Sequence, residues 1–128
     1  MSIKITDIAF TGTPVTDIKK ARAFYEGVLG LVPSHIFEQE SYRWIEYDIG
    51  PGKNTLAIAS GTPQWTPSPQ GTTVALEVAD FAAAIAHLRA NKVPIVNGPF
   101  ETPVCHMAII ADPDGNSISI HQKKVLKT

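Results

Sequence analysis

The same sequence unit occurs twice in this chain. Val15-Thr16-Asp17-Ile18 opens an amphipathic run that ends near Gly30-Leu31-Val32-Pro33. Val78-Ala79-Asp80-Phe81 opens a second, which ends near Asn91-Lys92-Val93-Pro94, half a chain later. Each run follows a β-rich segment and is followed by more strand-like sequence. A duplicated strand–helix–strands unit predicts a two-part β-rich architecture with a cleft between or within the halves, and function is expected at that cleft.

The local pattern fills in the elements. Residues 5–13 have strand character. Ile18, Ala21, Phe24, Tyr25, Val28 and Leu29 fall at helical spacing, with Lys19, Lys20, Arg22 and Glu26 on the other face. Thr16 or Asp17 suits the N-cap and Gly30 the C-terminal stop. Strands are predicted over 34–38, 42–49 and 55–59, with a turn at Gly50-Pro51-Gly52-Lys53-Asn54. Residues 61–71, with Pro63, Pro67 and Pro69 around Trp65, have the composition of a connector. A strand over 72–78 precedes a second helix that carries Phe81, Ile85 and Leu88 inward, with Asp80 as its cap. Further strands are predicted over 96–102, 104–111 and 116–122. Asp112-Pro113-Asp114-Gly115 suits a tight turn, because proline pre-sets one dihedral and glycine accepts positive φ. The expected domain is a single α+β domain of two βαβββ modules, 5–60 and 72–122, and the tail 123–128 is expected to fray.

Bulk properties narrow the classes of function. The chain has 128 residues, 11 basic and 12 acidic side chains, and a formal charge of −1, so no excess of positive charge points to nucleic acid. No apolar run is long enough to span a bilayer. The N-terminal residues lack the charged-then-apolar layout of a signal peptide. Cys105 is the single cysteine, so an internal disulfide is impossible. A cytoplasmic location is the expectation. Gly-rich phosphate loops, paired CxxC motifs and serine-hydrolase elbows are absent.

Phe24-Tyr25 followed by Val28-Leu29-Gly30-Leu31 resembles the first helix of the vicinal oxygen chelate superfamily. Asp112-Pro113-Asp114-Gly115-Asn116, followed by Ile118 to His121-Gln122, resembles its closing hairpin. That group holds glyoxalase I, bleomycin-resistance proteins, fosfomycin-modifying enzymes and extradiol dioxygenases. The resemblance spans about residues 5–122. It implies paired βαβββ modules whose sheets curl around a cavity, and a homodimer. It also implies four metal-ligand positions, one on the first and one on the last strand of each module. Counting from the matched motifs puts these at Phe10, Ala57, Thr73 and Ser119. A divalent ion needs several N or O donors to offset its desolvation, and a benzyl and a methyl group supply none. No metal and no other cofactor is therefore expected, and the chemistry of glyoxalase I and of ring cleavage, which requires the ion, falls with it.

Strand alternation suggests what replaces the metal. Ser117, Ser119 and His121 share one face of the last strand. In 42–49, Tyr42, Trp44, Glu46 and Asp48 share one face, and Arg43, Ile45, Tyr47 and Ile49 the other. The Ile-bearing face suits packing on the first helix, which would turn Trp44 and Glu46 towards the cavity. An aromatic wall with few polar groups suits a small, partly apolar organic ligand. Candidate ligand contacts are Phe10, Trp44, Thr73, Glu101, Cys105, His106 and Ser119. His121 is the candidate general acid/base or hydrogen-bonding group, and Glu46 the candidate proton acceptor or ligand anchor. The plain alternatives are a solvent-facing histidine at a strand end and an ion-paired or exposed carboxylate. Cys105 and His106 are adjacent, so a strand points them to opposite faces and they make a poor nucleophile–base pair. Cys105 also fits a small buried hydrophobe. His106 could join His121 with Glu46 or Glu101 around a displaced metal. His35 and His87 look structural or exposed.

The leading expectation is a small-molecule-binding, cytoplasmic, dimeric member of the glyoxalase and bleomycin-resistance group. The chain lacks the acidic balance that would help hold a cationic glycopeptide. The alternative is a lyase, isomerase or dioxygenase-like enzyme using displaced metal ligands or His121 and Glu46. A third is a subunit whose edge or cavity binds another protein.

Overall fold

The computed structural model describes residues 3–4, 7–52 and 54–125. Residues 5–6 at the start of the first expected strand, Lys53 of the expected turn and residues 126–128 of the tail lie outside them. The chain separates into two compact units with the boundary between Thr66 and Pro67, within residues 61–71. Each unit holds one four-stranded mixed sheet, so the protein is α+β.

In unit 1, β1 (Thr11–Pro14) leads to α1 (Ile18–Arg22), and β2 (Pro33–Gln39), β3 (Tyr42–Ile49) and β4 (Asn54–Ser60) follow. The sheet order is β1-β4-β3-β2, with β1 and β4 parallel and the other pairs antiparallel. β1 is shorter than its expected span: residues 7–10 are not strand.

Asp17 caps α1 as expected. Its Oδ1 accepts the N–H groups of Lys19 at 3.0 Å and Lys20 at 3.2 Å, two donors with no partner inside the helix. The expected α-helix does not run through to its stop. After Arg22 it widens into a π-helical turn over Ala23–Val28, with Leu29 N–H bonded to Phe24 C=O at 2.9 Å. Phe24 and Tyr25 are both buried there. Gly30 ends the helix at φ 78°: its N–H reaches Glu26 C=O, and Leu31 N–H reaches Tyr25 C=O. The Gly30 bond is the closure of an αL cap, which needs the left-handed residue that glycine supplies without strain, and the Leu31 bond is wide like the turn before it.

The helix covers one face of the unit 1 sheet. Ile45 and Tyr47 on β3 pair with Ile58 and Leu56 on β4, and all four are buried. Tyr25 stacks on Tyr47 with centroids 6.3 Å apart. The Tyr47 hydroxyl donates to Glu26 Oε2 at 2.8 Å, and Arg22 Nε donates to the same oxygen at 2.7 Å. The Arg22 hydrogen bond holds the Glu26 carboxyl below its ordinary range, against a smaller opposing effect of burial. Burial, then the Glu26 carboxylate, pushes the Tyr47 phenol far up, so it stays a donor.

Unit 2 repeats the plan. β5 (Val74–Glu77) precedes α2 (Phe81–Ala90), and β6 (Ile95–Glu101), β7 (Cys105–Ala111) and β8 (Ser117–Lys123) follow, in the order β5-β8-β7-β6. Asp80 caps α2 by accepting Ala83 N–H at 3.0 Å, and Phe81, Ile85 and Leu88 are its buried residues. The Asp112–Asn116 turn is closed by its own side chains. Asp112 Oδ1 accepts the N–H groups of Asp114 and Asn116, both at 2.9 Å, and Gly115 takes φ 83°. Asn116 Oδ1 then accepts Ser68 N–H at 3.0 Å, which ties the segment entering unit 2 to the turn.

Candidate functional site

The unit 1 face away from α1 is aromatic. Register fixes its members: Trp44 lies opposite Ala59 and Glu46 opposite Ala57 across β3–β4, and Gly12 lies opposite Ala57 across β1–β4. Ala57 and Ala59 are fully buried and form a floor of methyl groups. Around it stand larger rings. Phe10 meets Trp44 edge-on, with centroids 5.0 Å apart and planes at 85°. The tip of the Trp65 indole lies over Gly12: a Cβ there would come within 2.9 Å of Trp65 Cη2, and within 3.6 Å of the Phe10 ring. Phe37 lies opposite Trp44 on β2, 6.2 Å from the Tyr42 ring. Phe10 is 47% exposed, Phe37 43% and Trp65 39%, so these rings leave large apolar area in solvent.

One carboxylate organises this face. Trp44 Nε1 donates to Glu46 Oε2 at 2.8 Å, which fixes the indole against rotation. Further along the face, Asp48 Oδ1 accepts the Thr55 hydroxyl at 3.0 Å. Trp65 had the sequence signal only of a connector residue. Thr62 holds it in a closed turn, with Trp65 N–H on Thr62 C=O and the Thr62 hydroxyl on Trp65 C=O.

The family's metal positions do not fit an ion. In unit 1 they carry a phenyl ring and a methyl group, Phe10 and Ala57. Ala57 lies between Gly12 on β1, which adds no donor, and Glu46 on β3, a single carboxylate already held by Trp44. In unit 2, Ser119 is buried on β8 opposite Ala75 and Ile109. Thr73 lies just before β5 and spends its hydroxyl on Ser117 C=O at 3.0 Å. Among the described residues, no three His, Cys, Asp or Glu side chains converge as a metal would need.

The remaining candidates lie in unit 2, on different faces. His121 shares the face of Ser119, opposite Met107. Its Nδ1 lies 2.5 Å from Oε1 of Glu77, a residue the motif reading passed over. Glu77 and His121 face each other in the β5–β8 register; alternation along β5 gives Glu77 a face but not this partner. His106 is on the α2 side, stacked on Phe81 with centroids 5.5 Å apart, and so is separated from His121. Cys105 is buried at a hairpin end, its Sγ 3.3 Å from the Thr102 hydroxyl. Glu101 pairs with Lys124, whose ammonium holds its carboxyl below the ordinary range. His35 and His87 are exposed.

Two consecutive βαβββ units, each with a parallel first-to-last strand pair, define the class. The chain belongs to the Glyoxalase/Bleomycin resistance protein/Dioxygenase superfamily, whose sequence profile matches residues 7–120. Among solved structures, it is similar to TnmS3, an antibiotic binding protein from Streptomyces sp. CB03234. The two are 26% identical with a TM-score of 0.80, over 96% of this chain and all of that one. A glyoxalase/bleomycin resistance protein from the same Streptomyces is 28% identical with a TM-score of 0.74, over 91% of this chain and 100% of its own. Leishmania major glyoxalase I shares the fold at 22% identity and a TM-score of 0.72, over 92% of this chain and 87% of its own. No curated protein matches the chain. Among the described residues no helix is long and apolar enough to cross a membrane.

Proposed function

We propose that the protein binds a small, largely aromatic organic molecule, of the antibiotic kind, and holds it without transforming it. The observation that carries this reading is the half-open cluster of Phe10, Trp44 and Trp65 over the small residues Gly12, Ala57 and Ala59. Flat rings on a methyl floor favour a flat apolar guest, because stacking and area burial add together. The absence of metal-ligand side chains at Phe10 and Ala57, and an antibiotic-binding relative, support retention over turnover. The hydrogen bond from Trp44 supports an anchoring role for Glu46 over a proton-transfer one.

The chain has two tryptophans, Trp44 and Trp65, and both lie on this face, so intrinsic fluorescence reports the site directly. Titration with a panel of polycyclic aromatic antibiotics is expected to give saturable quenching with at least one member. Trp44→Phe and Trp65→Phe should each remove part of the signal and weaken binding. The bound compound should be recovered chemically unchanged by mass spectrometry. Failure of every panel member to quench saturably, or recovery of a modified compound, would overturn the proposal.

A further inference from the structure

β5 and β8 run parallel, and their register sets Glu77 directly opposite His121. The carboxylate is attached twice to β8. Oε1 lies 2.5 Å from His121 Nδ1, and Oε2 accepts the backbone N–H of Lys123 at 2.7 Å. An ion pair between two loose side chains has no such backbone anchor. The Lys123 N–H and then His121 hold the Glu77 carboxyl below its ordinary range. An ionised carboxylate only accepts, so Nδ1 carries a proton and, in the neutral imidazole, the lone pair is on Nε2. Among the described residues Nε2 has no partner, and the imidazole is partly exposed. Met107 stands opposite it on β7, and Ser119 lies two residues back on the same face of β8.

We propose that His121 Nε2 is the acceptor for an acidic hydroxyl, a phenol or an enol, of a small molecule, and that Glu77 is the positioning residue that fixes the imidazole tautomer. An imidazole lone pair gains most from an O–H more acidic than water, since an ordinary alcohol merely replaces the water it displaces. The Met107 thioether is a suitable neighbour for an aromatic ring carrying that hydroxyl. The inference rests on unit 2 alone and stands separately from the aromatic face of unit 1.

The test uses the full chain with 4-nitrophenol and its methyl ether, 4-nitroanisole, which lacks the donor. Nitrogen NMR of the imidazole is expected to show the Nδ1–H tautomer in the free protein. 4-Nitrophenol should move the His121 Nε2 resonance saturably, and 4-nitroanisole should not. Glu77→Gln should redistribute the tautomer and weaken 4-nitrophenol about tenfold. His121→Phe should abolish its preference over 4-nitroanisole. An Nε2–H tautomer in the unmodified protein refutes the positioning role without any variant having to fold. Equal binding of the two probes, or no saturable shift with 4-nitrophenol, refutes the site.

Discussion

Tyr47→Phe deletes one oxygen from the centre of the unit 1 core and separates the hydrogen bond there from the packing. The ring keeps its place against Tyr25, so no cavity larger than a hydroxyl forms. Lost is the 2.8 Å bond to Glu26 Oε2, while Arg22 Nε at 2.7 Å and Nη2 at 3.2 Å stay on the carboxylate. A hydrogen bond to a charged acceptor contributes about 1.5–3 kcal/mol. Glu26 keeps its arginine and some solvent, so about 1–2 kcal/mol is expected, a fall of about 0.5–1 M in the urea midpoint. The pH dependence supplies the sharper check. The folded Glu26 carboxyl titrates below its ordinary 4.5, so its contribution is present above that value and fades as pH falls through the folded value. The gap between wild type and variant should therefore be full at about pH 7 and smaller at a pH below the folded value, where a neutral carboxyl remains a weaker acceptor. Urea unfolding at both pH values measures it. A gap below about 0.3 kcal/mol at neutral pH, or one of equal size at both, would refute the account.

Gly12→Ala puts a Cβ within 2.9 Å of the Trp65 indole tip, which can swing away because it ends a side chain. Folding should survive, while Trp65 emission shifts to the red and affinity for a quenching aromatic compound falls several-fold, read by fluorescence. Asp17→Ala and Asp80→Ala should each cost about 1 kcal/mol of stability by denaturant unfolding. Asp17 should cost the more, since it accepts two backbone N–H groups and Asp80 one. Offered Zn, Ni, Mn and Fe(II) in turn, the protein should take up no stoichiometric ion by elemental analysis. One saturable ion per chain would contradict the reading of Phe10 and Ala57 as a ligand-free position.

The sequence by itself determined what acts over a few residues. Asp17, Asp80, Gly30 and the Asp112–Asn116 turn were legible because a cap, a helix stop and a turn each satisfy backbone groups within about one turn of chain. Alternation along 42–49 separated Ile45 and Tyr47 from Trp44 and Glu46, since a strand has only two faces. The duplication supplied the topology, and the motifs the family. The widened turn over Ala23–Val28 was not legible: its periodicity differs from an α-helix by too little over six residues. Which side chains meet across distance was decided only by the tertiary structure. His121 found Glu77 through a parallel pairing between strands far apart in sequence, and His106 was turned onto Phe81 by the side that α2 covers. Trp65 lies in a proline-rich stretch, and only folding lays its indole on Gly12. Such contacts depend on register and on which face a helix covers, and neither is encoded locally in the residues that meet.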